Sequence, residues 1–438
     1  MLMRPYLLTL LAALPLSVEL CAQKAAPVIE QKAEDGLWLV APQVGDALMS
    51  VTRSFSQGIT IDGKKNVWCL VQSYEVNKPK ERTLWLYRSK TGGRSWQRVT
   101  KAGPTWSAYG GIAGEPDSEI LHVAWAARLN GAEHSSAVYQ RFDAGQGVWL
   151  GEPQVLQEGV GAQDQFSVSD LAMAADGVLT VLVATHRHPK QPPWPSGWST
   201  GVMTLQPGQK KWSGPYPIHT NRYGVWANLQ VRDGRVHTTY RSSPSHSIIG
   251  YRSFSLANQK YDQKKDVEVS VQPKTGRSVA NASALVVGPF GNRTVVYPAA
   301  KHPSNRAGNG QLLIAFAGAD DKWRTEVLCE DPKMASGNVG HEHFALVKGP
   351  GPQVIALYSK VSEDHKVLYR RIVDSGKPMG PERVVARCDK KGAFHRIVAV
   401  RDPRYRTGIW AVVAGSDEAI TLGVRAVLAP RPPSTRWQ

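Results

Sequence analysis

The chain has 438 residues and carries 53 Lys and Arg against 36 Asp and Glu, a formal net charge of +17. Hydrophobic residues make up 42% and charged residues 20%, a balance that permits a packed core and excludes a disordered chain. The 40 glycines, 29 prolines and 14 tryptophans favour many turns and short strands over long helices.

The first residues have the pattern of a secretory signal. Arg4 precedes an apolar run from Leu7 to Val18, and the small residue Ala22 follows at a plausible cleavage point. The run is shorter than the roughly 20 apolar residues that span a bilayer, so we expect cleavage rather than anchoring. We therefore predict a signal peptide over 1–22, a linker over 23–35, and a secreted or periplasmic protein without membrane insertion.

A short repeat follows at intervals of about 55 residues. The clearest copy, Thr83–Val99, ends one strand at Arg88, continues through Ser89, Thr91, Gly93, Ser95 and Trp96, and starts a second strand. A repeat length of about 55 residues is typical of a unit with four strands. Weaker copies lie at Arg141–Trp149, Leu205–Trp212, Ser253–Tyr261, Phe316–Trp323 and Ile372–Met379.

Hairpin signals precede each repeat. Two apolar runs flank Asp-Gly or another glycine-containing turn, as in Leu229–Val231 and Val236–Tyr240, which is a strong hairpin pattern. Two hairpins per repeat make a four-stranded sheet, the blade of a β-propeller. The predicted blades span 50–102, 108–157, 165–219, 225–272, 279–331, 339–388 and 393–428.

The sequence therefore predicts an all-β chain with a single closed propeller over 36–430 and a C-terminal tail over 431–438. The last segment supplies three strands, and Gly36–Pro42 is a predicted strand that completes it and closes the ring. The alternative count is six blades, with the seventh segment as an additional sheet.

The repeat resembles the Asp-box, or BNR-repeat, of the sialidase superfamily, S-x-D-x-G-x-S-W, with Thr91 at the Asp position. The resemblance implies a propeller whose repeats are structural turns on the outside of the ring, and it identifies fold rather than activity. The early Phe/Tyr-Arg-Ile-Pro motif of sialidases is not found, because its nearest counterpart, Ser50–Ser54, lacks the proline. By position, Arg53, Arg241 and Arg396 could form the carboxylate-binding triad, with Asp170 as the acid.

One end of the predicted ring concentrates His, Arg and Tyr, where innermost strands start and second strands end. Histidine is the side chain most often tuned for proton transfer. The candidate catalytic residues are His341, His343, His395, Tyr240, Asp170 and Glu342. The candidate substrate-binding residues are Arg53, Arg241, Arg396, His186, Arg187, His188, Trp194 and Trp198.

Several of these candidates have a simpler interpretation. His341 and His343 would face one side of a strand, as acid and base groups or as polar residues lining a wet channel. A zinc site would need a third ligand that nothing in the sequence fixes, so we predict no metal and no other cofactor. Trp194 and Trp198 could stack on a sugar ring or pack on their own blade.

Three functions remain open. A glycosidase acting on an acidic saccharide is slightly favoured, and it needs two suitably spaced carboxylates. A polysaccharide lyase would instead use His or Tyr with Arg, and a non-catalytic propeller would only bind the glycan. For an exported basic monomer we expect an acidic glycan as partner rather than nucleic acid. The sugar, the linkage and catalysis itself are left open.

Three cysteines follow the predicted signal peptide, and they lack metal-binding spacing. Cys329 and Cys388 both follow outer strands of adjacent predicted blades. They are the candidates for a disulfide in an oxidising compartment.

Overall fold

The computed structural model describes the backbone of most of the chain after residue 57. The described ranges are 29–30, 38–40, 58–75, 78–90, 97–103, 106–159, 165–185, 193–194, 199–218, 224–242, 248–270, 283–300, 310–318, 320–330, 344–349, 352–362, 365–388, 393–402, 407–416 and 419–428. Among other stretches, 386–388, 393–396, 401–402, 407–416 and 419–428 are described by their backbone alone. The predicted signal peptide, linker and tail boundaries stay predictions.

All regular elements in these ranges are strands, which confirms the all-β prediction. They form seven antiparallel sheets, numbered here in chain order. The first two strands, β1 (Ile29–Glu30) and β2 (Trp38–Val40), join the last two sheets. No helix in the described ranges has the length and apolarity needed to cross a membrane.

The first four sheets follow one another along the chain. Sheet 1 contains β3 (Ile59–Ile61), β4 (Val67–Glu75), β5 (Lys78–Ser89) and β6 (Gln97–Ala102). Sheet 2 contains β7 (Ser107–Gly114), β8 (Ile120–Ala127), β9 (Ser136–Asp143) and β10 (Val148–Gln157). Sheet 3 contains β11 (Phe166–Met173), β12 (Leu179–Thr185), β13 (Ser199–Leu205) and β14 (Ser213–Pro217). Sheet 4 contains β15 (Gly224–Arg232), β16 (Arg235–Ser242), β17 (Ile248–Ser255), β18 (Lys260–Tyr261) and β19 (Val267–Glu268).

The last three sheets repeat the plan. Sheet 5 contains β20 (Ala284–Val287), β21 (Arg293–Ala300), β22 (Gly310–Ala317) and β23 (Trp323–Glu330). Sheet 6 contains β24 (Phe344–Lys348), β25 (Gln353–Ser362), β26 (His365–Asp374) and β27 (Lys377–Cys388), with β1 on its outer edge. Sheet 7 contains β28 (Ala393–Asp402), β29 (Thr407–Ser416) and β30 (Ala419–Leu428), with β2 on its outer edge.

The N-terminal strand joins the sheet formed by the C-terminal end of the described chain. In β2, Trp38 lies opposite Val424 and Val40 lies opposite Leu422. This confirms the prediction that the Gly36–Pro42 segment supplies a strand to the last sheet. The pairing of β1 with β27 was not predicted from the sequence.

The hairpin turns have the geometry that their residues predict. At the β15–β16 turn, Asp233 and Gly234 have φ angles of 50° and 68°. A two-residue turn with both φ values positive matches the right-handed twist of the flanking strands, and Asp-Gly adopts it readily. The turn brings Arg232 opposite Arg235, which sets the register of the whole hairpin.

The first strand of each sheet contacts the first strand of the next sheet. This inner series runs β3, β7, β11, β15, β20, β24 and β28, and β28 in turn contacts β3. The apolar core consequently lies between sheets: one cluster joins Trp68 and Leu86 of sheet 1 to Leu121 and Trp125 of sheet 2. Similar clusters join sheets 2 and 3, 3 and 4, 4 and 5, and 5 and 6.

Polar side chains also join neighbouring inner strands. Asp170 of β11 accepts hydrogen bonds from the backbone N–H of Leu171 at 2.9 Å and from that of Leu229 in β15 at 3.1 Å. Asn228 of β15 donates to the carbonyl oxygen of Ser283, just before β20. These contacts satisfy buried polar groups where no strand-to-strand ladder crosses from one sheet to the next.

A His–Tyr–Trp arrangement occurs twice in the described sheets. In sheet 2, His122 Nδ1 lies 2.6 Å from Tyr139 Oη, and the Tyr139 ring packs edge-on against Trp212 of sheet 3, with centroids 5.2 Å apart. In sheet 4, His237 Nδ1 lies 2.7 Å from Tyr251 Oη. The Tyr251 ring packs edge-on against Trp323 of sheet 5, with centroids 5.6 Å apart.

Because the two copies have the same arrangement, we interpret each as a packing contact between neighbouring sheets. One copy joins sheet 2 to sheet 3, and the other joins sheet 4 to sheet 5. Trp212 and Trp323 are anchor residues of the sequence repeat. Their packing explains why the repeat keeps an aromatic residue even where its other positions vary.

The predicted Cys329–Cys388 disulfide is wrong in this structure. Cys329 is a buried free thiol whose Sγ lies 3.4 Å from the carbonyl oxygen of Glu330. Burial raises the pKa of this thiol to about 12, and the Glu382 carboxylate adds to the increase. The sequence placed both cysteines on outer strands but could not show that Cys329 faces a packed interior.

We predict that replacing Asp170 destabilises the protein far more than replacing Asp143, a half-buried Asp whose bonds to backbone N–H groups are exposed. Asp170→Ala leaves two buried N–H groups without this acceptor, which costs about 2–5 kcal/mol. Asp143 also accepts two backbone N–H bonds, from Gly145 and Gln146, but both are exposed. Asp143→Ala should cost about 1 kcal/mol in urea unfolding, since water replaces the carboxylate. Equal losses would contradict the role of Asp170 in joining the two sheets.

We predict that the folded protein loses stability at acid pH because His237 must become protonated. Burial, and then the nearby Arg293 and Arg235, lower the pKa of His237 from 6.5 to about 4. The unfolded chain therefore binds more protons between these values, and this contribution is full above pH 6.5 and is lost as the pH falls toward 4. The loss amounts to at most about 3 kcal/mol. Urea unfolding of wild type and His237→Asn at several pH values in this window tests it: the variant should show the shallower pH dependence, and identical slopes would contradict the assignment.

Candidate functional site

Four of the described inner strands carry a β-bulge close to their first residues. The pairing register shifts between Ala108 and Gly110 in β7 and between Val168 and Asp170 in β11. It shifts again between Val225 and Asn228 in β15 and between Phe394 and Arg396 in β28. The residues that the register skips are Tyr109, Ser169, Trp226, Ala227 and His395. Bulges re-aim side chains and occur frequently beside active sites, so this shared end, the bulge end, is the candidate site.

Tyr109 has the most distinctive geometry at the bulge end. It adopts a φ of 47°, in the left-handed region that non-glycine residues seldom occupy. Arg82 Nη1, from β5 of sheet 1, donates a 2.8 Å hydrogen bond to Tyr109 Oη, and the guanidinium carbon lies 5.6 Å from the ring centroid. The unusual backbone conformation of Tyr109 and its hydrogen bond with Arg82 hold a phenol and a guanidinium side by side.

A second arginine and aromatic ring lie at the same end of sheet 2. The guanidinium carbon of Arg128 lies 5.0 Å from the centroid of the Trp106 ring, and both residues are half-buried. The Arg128 N–H donates to the Trp106 carbonyl oxygen at 3.2 Å, which ties the end of β8 to the start of β7. Such a pair suits a sugar that carries an anionic group, because the guanidinium can pair with the anion while the ring contacts the sugar.

The backbone places His395 and Arg396 at the bulge end. His395 is the residue that the register skips in the β28 bulge, in the same position as Tyr109 in β7. Arg396 follows the bulge, as Asp170 and Asn228 do in their strands. The common end predicted for His395 and Arg396 is therefore the end where the bulges occur, and their roles stay predictions.

Asp170, predicted as an acid, has a different role in the structure. It is 2% exposed, and its two carboxylate oxygens accept the backbone N–H groups of Leu171 and Leu229. The carboxylate therefore joins β11 to β15, and a direct role on a substrate would require breaking that contact. The position of Asp170 on the inner strand could be predicted from the repeat, but its hydrogen-bond partners could not.

Tyr240, predicted as a catalytic residue, is buried completely. Its ring passes over Gly250, and its Oη donates a 2.8 Å hydrogen bond to Asp266 Oδ1. Burial, and then the Asp266 carboxylate, raise the pKa of Tyr240 well above its usual value. Tyr240 is therefore a structural residue of sheet 4 rather than an accessible catalytic phenol.

Arg241, the next residue, remains a candidate for the bulge end. It is the penultimate residue of β16, opposite Val225 at the β15 bulge. Burial lowers the pKa of Arg241 to about 10, so the guanidinium stays charged near neutral pH. A largely buried cation at this place can bind an anionic group more strongly than an exposed one.

Trp194 does not lie exposed on the rim. It is 6% exposed, its ring centroid lies 5.8 Å from that of Phe166, and it packs over Gly201 of β13. The alternative that it packs on its own sheet is thus the correct one, because Gly201 leaves room for the ring. The remaining candidates lie outside the described residues: His341, Glu342, His343, Arg53, His186, Arg187, His188 and Trp198.

A cavity of about 670 Å³ lies elsewhere, at the opposite end of sheets 2 and 3. There Glu115 Oε1 lies 3.0 Å from His122 Nε2, and His122 Nδ1 lies 2.6 Å from Tyr139 Oη. Burial lowers the pKa of His122, so the ring is neutral in this chain of hydrogen bonds. Sequence reasoning did not find this cluster, because its three members come from separate strands and turns.

We place the candidate functional site at the bulge end rather than in this cavity. The His122–Tyr139 pair recurs as His237–Tyr251 in sheet 4, which indicates a packing element of the even sheets. The bulge end instead combines local backbone strain, bulged inner-strand residues and cations. Among the residues whose side chains are described, no group of three His, Cys, Asp or Glu residues is arranged to hold a metal ion.

Comparison with known proteins identifies the fold. No protein-family model matches the sequence, and no curated protein matches it. An ulvan lyase of polysaccharide lyase family PL25, bound to -[GlcA(1-4)Rha3S]-, is similar with a TM-score of 0.51 and 11% identity over 89% of this chain and 95% of that chain. A second structure of a PL25 ulvan lyase has a TM-score of 0.50 and 10% identity over 89% and 96%.

Other structures are similar with lower TM-scores. The Hadza microbial sialidase Hz136 has a TM-score of 0.42 and 12% identity over 69% of this chain and 62% of that chain. An arabinanase from Penicillium chrysogenum has a TM-score of 0.43 and 11% identity over 92% of this chain and 100% of that chain. The two ulvan lyases support an all-β, propeller-like fold for this chain.

Proposed function

We propose that this protein is an exported, closed seven-bladed propeller that binds an acidic polysaccharide at the bulge end and cleaves it by β-elimination. Closure is supported by the contact of β28 with β3 and by the pairing of β2 with β30. These contacts join the N-terminal strand β2 to the last described strand, β30, and return the inner series from β28 to β3.

An acidic polysaccharide is favoured by charge. The chain has a net charge of +17, and the described side chains at the bulge end include Arg82, Arg128 and Arg241. Arginine binds carboxylate and sulfate groups through two parallel N–H donors. One of the similar ulvan lyases is bound to a saccharide that contains GlcA, which agrees with this ligand class.

Elimination is favoured over hydrolysis by the environment of Asp170. A glycosidase requires two carboxylates free to act on the glycosidic bond, and Asp170 is engaged by two backbone N–H groups. Elimination requires only a base, an acid and cations that neutralise the uronate carboxylate. Tyr109, His395 and the arginines of the bulge end are groups of these types.

The reaction balances without water. A base at the bulge end removes the proton on the carbon next to the uronate carboxylate, while Arg82 or Arg241 stabilises the negative charge that develops. The electron pair forms a carbon–carbon double bond, and the bond from the neighbouring carbon to the glycosidic oxygen breaks. An acid protonates that oxygen, giving a new reducing end and an unsaturated uronate. Tyr109 and His395 are our candidates for this proton transfer.

The test is to incubate the mature protein with a panel of polyuronates and sulfated uronans and to measure two products in parallel. Elimination predicts equal increases in reducing ends and in the ultraviolet absorbance of unsaturated uronate. Reducing ends without that absorbance would instead show a glycosidase, for which Glu342 is the remaining candidate carboxylate. Retention on a polysaccharide column with neither product would show a non-catalytic binding propeller.

We predict that Tyr109→Phe lowers turnover by about 100-fold or more, because the variant keeps the ring but loses the acid–base group. Tyr139→Phe is the matched control, since it removes a phenol hydroxyl from the cavity at the opposite end. It should change kcat by less than about twofold. The reverse pattern would move the active site to that cavity, and unchanged rates in both variants would contradict a role for Tyr109.

A further inference from the structure

A second cluster of arginines lies on the outer half of sheet 6, away from the bulge end. Strands β26 and β27 enclose a cavity of about 330 Å³ there. Its charged lining consists of Arg370, Arg371 and Arg383, and its apolar lining includes Ile372, Met379 and Pro381. We call this cavity the outer arginine cleft. Its volume is at the lower end of pockets that hold organic ligands, about 300–1,000 Å³.

The register of the two strands brings like charges together. Arg370 lies directly opposite Arg383, and like charges in such a pair destabilise a sheet. Burial, and then the charge of Arg383, lower the pKa of Arg370. A bound anion would offset the repulsion between the two guanidinium groups.

The third arginine lies where the pairing of the two strands is interrupted. Arg370 pairs with Arg383 and Ile372 with Met379, so β27 has extra residues opposite Arg371. The Arg371 Nη1 donates to the carbonyl oxygen of Leu328 at 2.7 Å, and its Nε donates to that of Gly380 at 3.2 Å. These bonds fix the guanidinium at the cleft without neutralising its charge.

The neighbouring carboxylate does not neutralise the cluster either. Glu382 lies between Pro381 and Arg383 in sequence, but it accepts hydrogen bonds from Tyr358 at 2.7 Å and from Lys360. These bonds lower the pKa of Glu382 despite its partial burial, so it is ionised and engaged by that lysine. No carboxylate lines the described part of the cleft.

The remaining lining suits the face of a sugar ring. Met379 is 53% exposed, a high value for a large apolar side chain, and it lies with Ile372 and Pro381 beside the arginines. Planar guanidinium groups donate pairs of parallel N–H bonds to tetrahedral oxyanions. Apolar side chains next to such donors fit the carbon–hydrogen face of a carbohydrate.

We propose that the outer arginine cleft binds a tetrahedral oxyanion, namely the sulfate or phosphate group of a saccharide. Binding of the oxyanion follows from the cleft alone, whereas its attachment to a saccharide rests on the proposed function. On a polysaccharide substrate, this second site would hold the chain on the outside of the ring while another segment occupies the bulge end, which raises the effective concentration of substrate.

Thermal unfolding of the mature protein in sodium sulfate and in sodium chloride at equal ionic strength tests the proposal. Wild type should show a Tm increase that saturates at millimolar sulfate, because the anion binds the folded state. Arg383→Ala should lose this saturable increase, and without sulfate it should be at least as stable as wild type, because the Arg370–Arg383 repulsion is gone. Arg324→Ala removes an exposed arginine that pairs with Asp320 and should keep the full sulfate effect.

An equal sulfate effect in wild type and Arg383→Ala would overturn the proposal, since it would reflect the general exclusion of sulfate from protein surfaces. Calorimetric titration with galactose sulfate and with inorganic sulfate then separates the two sources of the anion. Binding of the sugar ester at least about tenfold tighter supports a saccharide ligand, and equal affinity overturns the saccharide while keeping the oxyanion. Turnover of short substrates should be unchanged in Arg383→Ala, so failure of elimination and failure of this site are measured separately.

Discussion

The structure depends on contacts that join one sheet to the next. The strand ladders run within each sheet, so an inner strand meets the following sheet largely through side chains. Large apolar residues fill most of this interface, as Trp125 does between sheets 1 and 2. Asp170 and Asn228 form hydrogen bonds with backbone groups buried at these interfaces. Farther from the inner strands, the packed rings of Tyr139 and Trp212 also join sheets 2 and 3. Loss of one such contact should therefore affect two sheets at once.

The same constraint separates structural from functional polar residues. Residues in the middle of an inner strand face a neighbouring sheet, where a polar group needs a buried partner, as Asp170 has. Residues at the bulges are skipped by the strand register, and Tyr109 shows that such a position tolerates backbone strain. The outer arginine cleft follows the same rule, because the pairing of β26 and β27 is interrupted beside Arg371. Function in this chain is thus expected where strand pairing is interrupted.

Much of the fold could be predicted from the sequence, because hairpins depend on local turn chemistry and strand alternation. Asp233-Gly234 identifies one turn, and the apolar strand around Leu39 joins the last sheet as predicted. Individual side-chain roles were less predictable, since they depend on distant partners. Gly201 and Gly250 admit the rings of Trp194 and Tyr240 into the interior, and no pattern in the sequence signals that fit. The roles of His341 and His343 remain predictions.

The central claim is that ligand binds where the inner strands bulge. Hydrogen–deuterium exchange of the mature protein, with and without an acidic oligosaccharide that it binds, tests this claim most directly. We expect protection of backbone amides at the starts of β7, β11, β15 and β28, with little change in the Glu115–Ser118 and Gln206–Gln209 turns at the opposite end. Protection confined to those two turns would contradict the account and place the ligand in the cavity beside His122.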